Sequence, residues 1–170
     1  VPTPGGSVRL PAAWCGLAGL KTTIGRVSTY GVLPLAHTLD TPGPICRTVE
    51  DAALLYTVLA GADLKDPLTL RHPVEDPMPS LKRGIVGLRL ARLPEAEREI
   101  VDTEILAAYD GSLGVLARLG AEIVDVEWPR SFADFADMTG RIIGAEGYLH
   151  VGHMVDDMDL PIDPAVRPRI

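Results

Sequence analysis

The chain predicts an α/β fold, and three observations carry that expectation. A strand, a helix and a second strand follow one another between Ile85 and Val126. A capped helical pattern runs from Thr48 to Gly61. The first 47 residues hold seven Gly and six Pro between short apolar runs, a density that favours short strands, tight turns and loops carrying function.

Taken in order, Pro11–Cys15 reads as a helical turn entered by proline and ended by Gly16. Leu17–Lys21 is an apolar run between turn residues, the pattern of a strand. Thr48 can cap the next helix with its hydroxyl, Glu50 and Asp51 suit its positive end, and Gly61 supplies the stop. Val49, Ala52, Ala53, Tyr56 and Leu59 recur at helical spacing and predict one buried face. Residues 62–84, with Pro67, Pro73, Pro77 and Pro79, read as an irregular connection.

Ile85–Ala91 is the next expected strand. Apolar positions from Ile100 to Leu119 predict one helix over 96–119, despite Gly111 and Gly114, and Gly120 ends it. Glu122–Val126 alternates as a strand, so residues 85–127 form a βαβ unit whose crossover implies parallel strands. A last helix is expected over Phe132–Val151, within a helical tail of 128–170.

With 170 residues, 46% apolar content and a slightly positive mean hydropathy, the chain can bury a core as one ordinary domain. A net charge of −7 with no basic stripe speaks against a nucleic-acid partner. No apolar run is long enough to span a membrane, and Val1–Pro4 does not read as a signal peptide. Cys15 and Cys46 fall in segments that read as buried free thiols, and a cytoplasmic location is expected.

The stretch Gly5-Gly6-Ser7-Val8-Arg9 is the chemical centre of the sequence. Glycine permits positive φ and close backbone approach, and a hydroxyl beside free N–H groups suits a nucleophile next to an oxyanion site. The sequence continues through Gly19-Leu20-Lys21, Gly25-Arg26-Val27-Ser28, Tyr30-Gly31-Val32-Leu33-Pro34 and Leu39-Asp40-Thr41-Pro42-Gly43-Pro44. Together these segments, strongest from Gly5 to Gly61, resemble the amidase signature family of serine amidases and the related glutamyl-tRNA amidotransferase A subunit. The resemblance implies a mixed sheet with helices on its faces, represented here by an internal part of the family domain that is incomplete at both ends. It divides the chain into a nucleophile-bearing segment 1–61, the connection 62–84, the βαβ unit and the tail.

The same resemblance implies hydrolysis of a carboxamide C–N bond through a serine acyl-enzyme. Ser7 matches the nucleophile, Gly5 and Gly6 part of the oxyanion hole, and Arg9 a residue that organises the loop. It implies a small-molecule amide substrate, no cofactor and no metal, with a homodimer or a partner subunit compatible. The family's bridging serine and basic lysine precede the nucleophile, and no serine or lysine lies ahead of Ser7. Pro4 has no N–H to offer an oxyanion, and Thr3 stands where the family carries an acid that could answer Arg9. The segment from Pro34 to Pro44 looks more like the stand-alone amidases than the amidotransferase subunit. The alternatives are a non-catalytic fragment and a glutamine-dependent amidotransferase subunit.

Other groups have chemistry of their own. Lys21 reads as a lysine at a strand end. Ser7, His37 and Asp40 contain the residue types of a serine–histidine–aspartate set, yet Asp40 reads more simply as a turn-capping carboxylate. His150 and His153 stand three apart, as half a metal site would, beside an acidic loop at Asp156, Asp157 and Asp159. Trp14 is expected to pack in the core.

Overall fold

A computed structural model describes residues 6–73 and 75–169. It divides into two compact units, one comprising residues up to Pro79 and from Met138 onward, the other Ser80–Asp137.

In the first unit, α1 (Arg9–Trp14) packs on β1 (Ala18–Gly19), which pairs antiparallel with β2 (Ile45–Cys46). Ala18 stands opposite Cys46 and Gly19 opposite Ile45. The Leu20 N–H donates to the Pro44 carbonyl at 3.0 Å and carries the pairing one step further. The expected strand thus shrinks to two residues, and its partner is a two-residue segment between Pro44 and Arg47 whose sequence has no periodicity to announce it.

Next comes α2 (Val49–Leu59), where the Thr48 hydroxyl accepts from the Asp51 N–H at 3.0 Å as a cap should. Its end differs from expectation, because Ala60 already turns extended and the Gly61 N–H donates to the Arg26 carbonyl at 3.3 Å. The expected buried face also narrows. Ala52 and Ala53 are buried and Tyr56 is half-buried, while Val49 and Leu59 are exposed.

Residues 62–73 and 75–80 follow as irregular chain with short 3-10 turns at Thr69–Arg71 and Met78–Ser80. Asp63 and Asp66 hold this segment to residues 28–29. Ser28 Oγ donates to Asp63 at 2.7 Å, and the Thr29 N–H and hydroxyl both donate to Asp66, at 2.8 and 2.9 Å. The Thr29 N–H keeps the Asp66 carboxyl below the usual carboxylate range against the opposing effect of burial.

In the second unit, β3 (Arg89–Ala91) pairs in parallel with β4 (Glu122–Val124), in the register Arg89 to Glu122, Leu90 to Ile123 and Ala91 to Val124. The chain between them includes α3 (Glu95–Arg98) and α4 (Thr103–Arg118). The single helix expected over 96–119 is therefore interrupted. Asp102 adopts an extended backbone and accepts the Glu104 N–H at 2.8 Å, so it caps a new helix and does not continue the old one. Likewise β3 begins at Arg89 and not at Ile85, because the Leu88 N–H closes a turn on the Ile85 carbonyl at 3.0 Å. The Tyr109 hydroxyl accepts from the Leu93 N–H at 2.7 Å and fixes α4 to the chain leaving β3.

The last helix, α5 (Phe132–Val155), has its first residues in the second unit and continues in the first, four residues beyond its expected end. The loop after it closes on Arg167, whose guanidinium donates to the carbonyls of Val155, of Asp157 at 3.1 Å and of Leu160 at 3.0 Å.

Small side chains make up the interior. The buried apolar residues among those described are Val8, Ala12, Val27, Ala36, Ala52, Ala53 and Ala121. Larger apolar groups lie outside, including Leu54 and Val58 on α2. Trp14, expected in the core, is 83% exposed, and Cys15 beside it is exposed as well. Trp14, two residues from buried Ala12, falls on the far side of α1, and Cys15 is the cap residue at which the helix ends. Cys46 is half-buried, and both thiols are free.

Candidate functional site

Ser7 lies in the turn that leads into α1 and is half-buried. Gly6 before it has φ +104°, a conformation that suits glycine and strains any residue with a Cβ. A Cβ there would also stand 3.2 Å from the Leu10 side chain. The Gly6 carbonyl accepts the Leu10 N–H at 2.8 Å, and the Val8 carbonyl accepts the Ala12 N–H at 3.2 Å. Buried Val8 anchors the turn from the other side. The hydroxyl is thus presented by a fixed backbone between a glycine corner and a helix. Gly5, with Thr3 and Pro4, lies outside the described residues. Arg9 is exposed in the first turn of α1.

Beyond β1, Lys21 Nζ donates to the Thr22 carbonyl at 2.8 Å and to Thr41 Oγ1 at 3.4 Å. It ties the strand end to the loop at residue 41, a structural task.

Asp40 caps its turn as expected. One carboxylate oxygen accepts the N–H groups of Leu35 and Ala36, at 2.9 and 3.1 Å. The residue is 3% exposed, and its other oxygen, Oδ1, has no partner among the described residues. His37 shares with it a cleft of about 210 Å³ lined also by Thr29, Val32 and Pro34, but turns to other partners. Its Nδ1 lies 3.2 Å from Glu146 Oε2 and 3.4 Å from His150 Nε2. Among the described residues no hydrogen bond joins Ser7 to His37 or Asp40, so the structure does not assemble these three as a relay.

Glu146, on α5, was not legible as a partner of residues 37–38 in the sequence. It accepts both the N–H of Thr38, at 3.0 Å, and the Thr38 hydroxyl. That hydroxyl first, then the N–H, hold the Glu146 carboxyl below its ordinary range; desolvation opposes them and the nearby His37 and His150 add to them. His150 meets His37 across 5.5 Å, ring edge to face, and is not paired with His153. Asp156 accepts from the Tyr148 hydroxyl at 2.7 Å, and Asp157 accepts the Asp159 N–H at 3.0 Å, so two carboxylates of the acidic loop serve local bonds. Among the described residues no group of three or more His, Cys, Asp or Glu could hold a metal ion, and no helix is long and apolar enough to cross a membrane.

Known proteins resemble the chain in both sequence and fold. The chain is 44% identical over 126 residues to the A subunit of glutamyl-tRNA(Gln) amidotransferase from Thermosynechococcus vestitus (strain NIES-2133 / IAM M-273 / BP-1), covering 74% of this chain and 26% of that one. Its fold superposes on the crystal structure of the A subunit of glutamyl-tRNA(Gln) amidotransferase from Thermotoga maritima with a TM-score of 0.79 at 32% identity, over 98% of this chain and 35% of that one. It superposes on the peptide amidase of Stenotrophomonas maltophilia with a TM-score of 0.78 at 29% identity, over 98% of this chain and 34% of that one. The chain therefore spans about a quarter of the curated relative and a third of the solved chains. The likeness extends to amidotransferase A subunits and to a peptide amidase alike. The Amidase family profile matches residues 4–160, and the chain belongs to that family, the amidase signature enzymes.

Proposed function

We propose that Ser7 is the nucleophile of an acyl-transfer centre that cleaves a carboxamide C–N bond in a small-molecule substrate. The observation that carries this reading is the placement of Ser7, half-buried between Gly6 at φ +104° and α1, in a chain of the Amidase family. Ser7 Oγ attacks the amide carbonyl carbon and gives up its proton, and the oxyanion is received by the backbone N–H groups of Gly5 and Gly6. Collapse of the tetrahedral intermediate breaks the C–N bond, and the leaving nitrogen takes a proton. Water then attacks the ester, releases the acid and restores Ser7. Arg9 steadies the loop from the first turn of α1.

By the resemblance to the family, a bridging serine and a lysine complete the proton relay of such a centre; the six residues before Ser7 in this sequence include neither. Free Cys15 and Cys46 fit the reducing cytoplasm as its location.

The test is fluorophosphonate labelling of the protein expressed with its upstream coding sequence, with the adduct mapped by mass spectrometry. The adduct is expected on Ser7 and is expected to vanish in Ser7→Ala. The 170-residue chain alone is expected to label weakly, because an unassisted hydroxyl is a poor nucleophile. Adduct that persists in Ser7→Ala, or amide hydrolysis unaffected by that substitution, overturns the assignment.

The identity of 44% to an amidotransferase A subunit favours a second reading, in which the same serine releases ammonia from glutamine within an assembly. Glutamine hydrolysis that depends on added partner subunits is its mark. Hydrolysis of simple amides without partners supports the first reading over it.

A further inference from the structure

We propose that the Ser80–Asp137 unit carries a binding site for a small zwitterion of the α-amino-acid class, at the carboxyl end of its two parallel strands. Ligands of open α/β sheets bind in the crevice outside the carboxyl ends of the strands, and this unit has such a crevice, of about 470 Å³. Arg92 and Asp125 are the first residues after β3 and β4, and both line it. The Arg92 N–H donates to the Val124 carbonyl at 3.0 Å, which keeps the two strand ends in register. The Arg92 guanidinium grips Asp125 in a fork, Nε on one carboxylate oxygen and Nη2 on the other at 3.0 Å.

A second fork stands beside it. Arg98 donates to both oxygens of Asp110, at 3.0 and 2.8 Å. The two forks differ in exposure. The Arg98 side chain is only 19% exposed and that of Asp110 50%, whereas those of Arg92 and Asp125 are 53% and 77% exposed. The Arg98–Asp110 pair therefore serves as a wall, and the Arg92–Asp125 pair is the one water already competes for and a ligand can open.

Charge counting selects the ligand. The crevice holds two guanidiniums and three carboxylates, counting Glu95, and so repels a phosphate dianion. A simple carboxylate that takes Arg92 exchanges one ion pair for another and strands Asp125. A simple ammonium that takes Asp125 strands Arg92. A molecule carrying both groups on one carbon breaks one pair and makes two, its carboxylate in the Arg92 fork and its ammonium on Asp125. Leu113, Ala117 and Ile123 supply an apolar floor for a side chain, and Gly114 adds no side chain to crowd it.

The test is a 1H–15N NMR titration of the 170-residue chain with L-leucine, 4-methylpentanoate and isopentylamine. Saturable shifts at Leu93, Ile123 and Asp125 are expected with leucine, at an affinity at least about tenfold above either half-molecule. Arg92→Gln and Asp125→Asn should each abolish the difference. Ala117→Phe, at an exposed position, fills the floor without touching either charge and should abolish leucine binding in an otherwise unchanged spectrum. Equal response to all three compounds, no response to leucine, or binding that survives Ala117→Phe overturns the proposal. Ser7 takes no part in any of these outcomes, so the two assignments stand or fall separately.

Discussion

Thr38 and Glu146, 108 residues apart, are joined twice: the N–H and the hydroxyl of Thr38 both donate to the Glu146 carboxylate. This pair pins the loop that carries His37 and Asp40 to α5, and both partners belong to the same unit. Because these bonds and the two nearby histidines favour the charged carboxylate, the folded chain binds the Glu146 proton less readily than the unfolded chain does. The stabilisation is whole above the ordinary glutamate pKa and is lost as pH falls through the lower, folded value. Glu146→Gln should lower the urea midpoint at neutral pH, and the gap to wild type should close in acid. A gap that stays constant with pH assigns the loss to packing and not to charge.

Asp40 separates two roles of one carboxylate. Asp40→Ala removes the acceptor of two N–H groups, one of them on the buried Ala36, and should cost about 1–3 kcal/mol in denaturant unfolding. Asp40→Asn keeps an acceptor for the turn and replaces Oδ1, which has no partner among the described residues, with an amide group of the same shape. It should cost clearly less than the alanine variant. Equal losses in the two variants contradict the assignment of the turn bonds.

Gly43 allows β1 and β2 to meet. A Cβ there would run into the Leu20 carbonyl oxygen, and backbone meeting backbone has no flexible end to yield. Gly43→Ala should break the Leu20–Pro44 bond and cost more than about 3 kcal/mol, beyond the range of most single substitutions. The cost is read from thermal or denaturant unfolding, and a variant as stable as wild type rules out this close approach.

Apolar groups on the surface predict association. Trp14, Leu54 and Val58 are exposed, the last two at i, i+4 spacing on α2, and contiguous exposed apolar surface usually marks an interaction site. Light scattering of the purified chain should show concentration-dependent self-association, reduced in Trp14→Ser and Val58→Lys. A monodisperse monomer at high concentration contradicts this.

What the sequence by itself determined is what acts over a few residues. The Thr48 cap, the glycine corner before Ser7, the Asp40 turn and the Gly120 stop each depend on neighbours no more than about one helical turn away. The order of strand, helix and strand is read from local periodicity, and the parallel pairing of β3 with β4 agrees with it. The Asp102 cap is local too, but continuous apolar spacing across residues 96–119 concealed it.

Tertiary structure alone decided the rest. Trp14 lies outside because α1 turns its Ala12 face inward, and hydrophobicity states a preference for burial without saying which face meets a neighbour. β2 has two residues, too few for any period, and exists because β1 is there to pair with it. The meetings of Thr38 with Glu146, His37 with His150 and Arg92 with Asp125 cross 108, 113 and 33 positions. Nothing in residue spacing encodes such distances; they arise when the folded chain brings separate elements within hydrogen-bond reach.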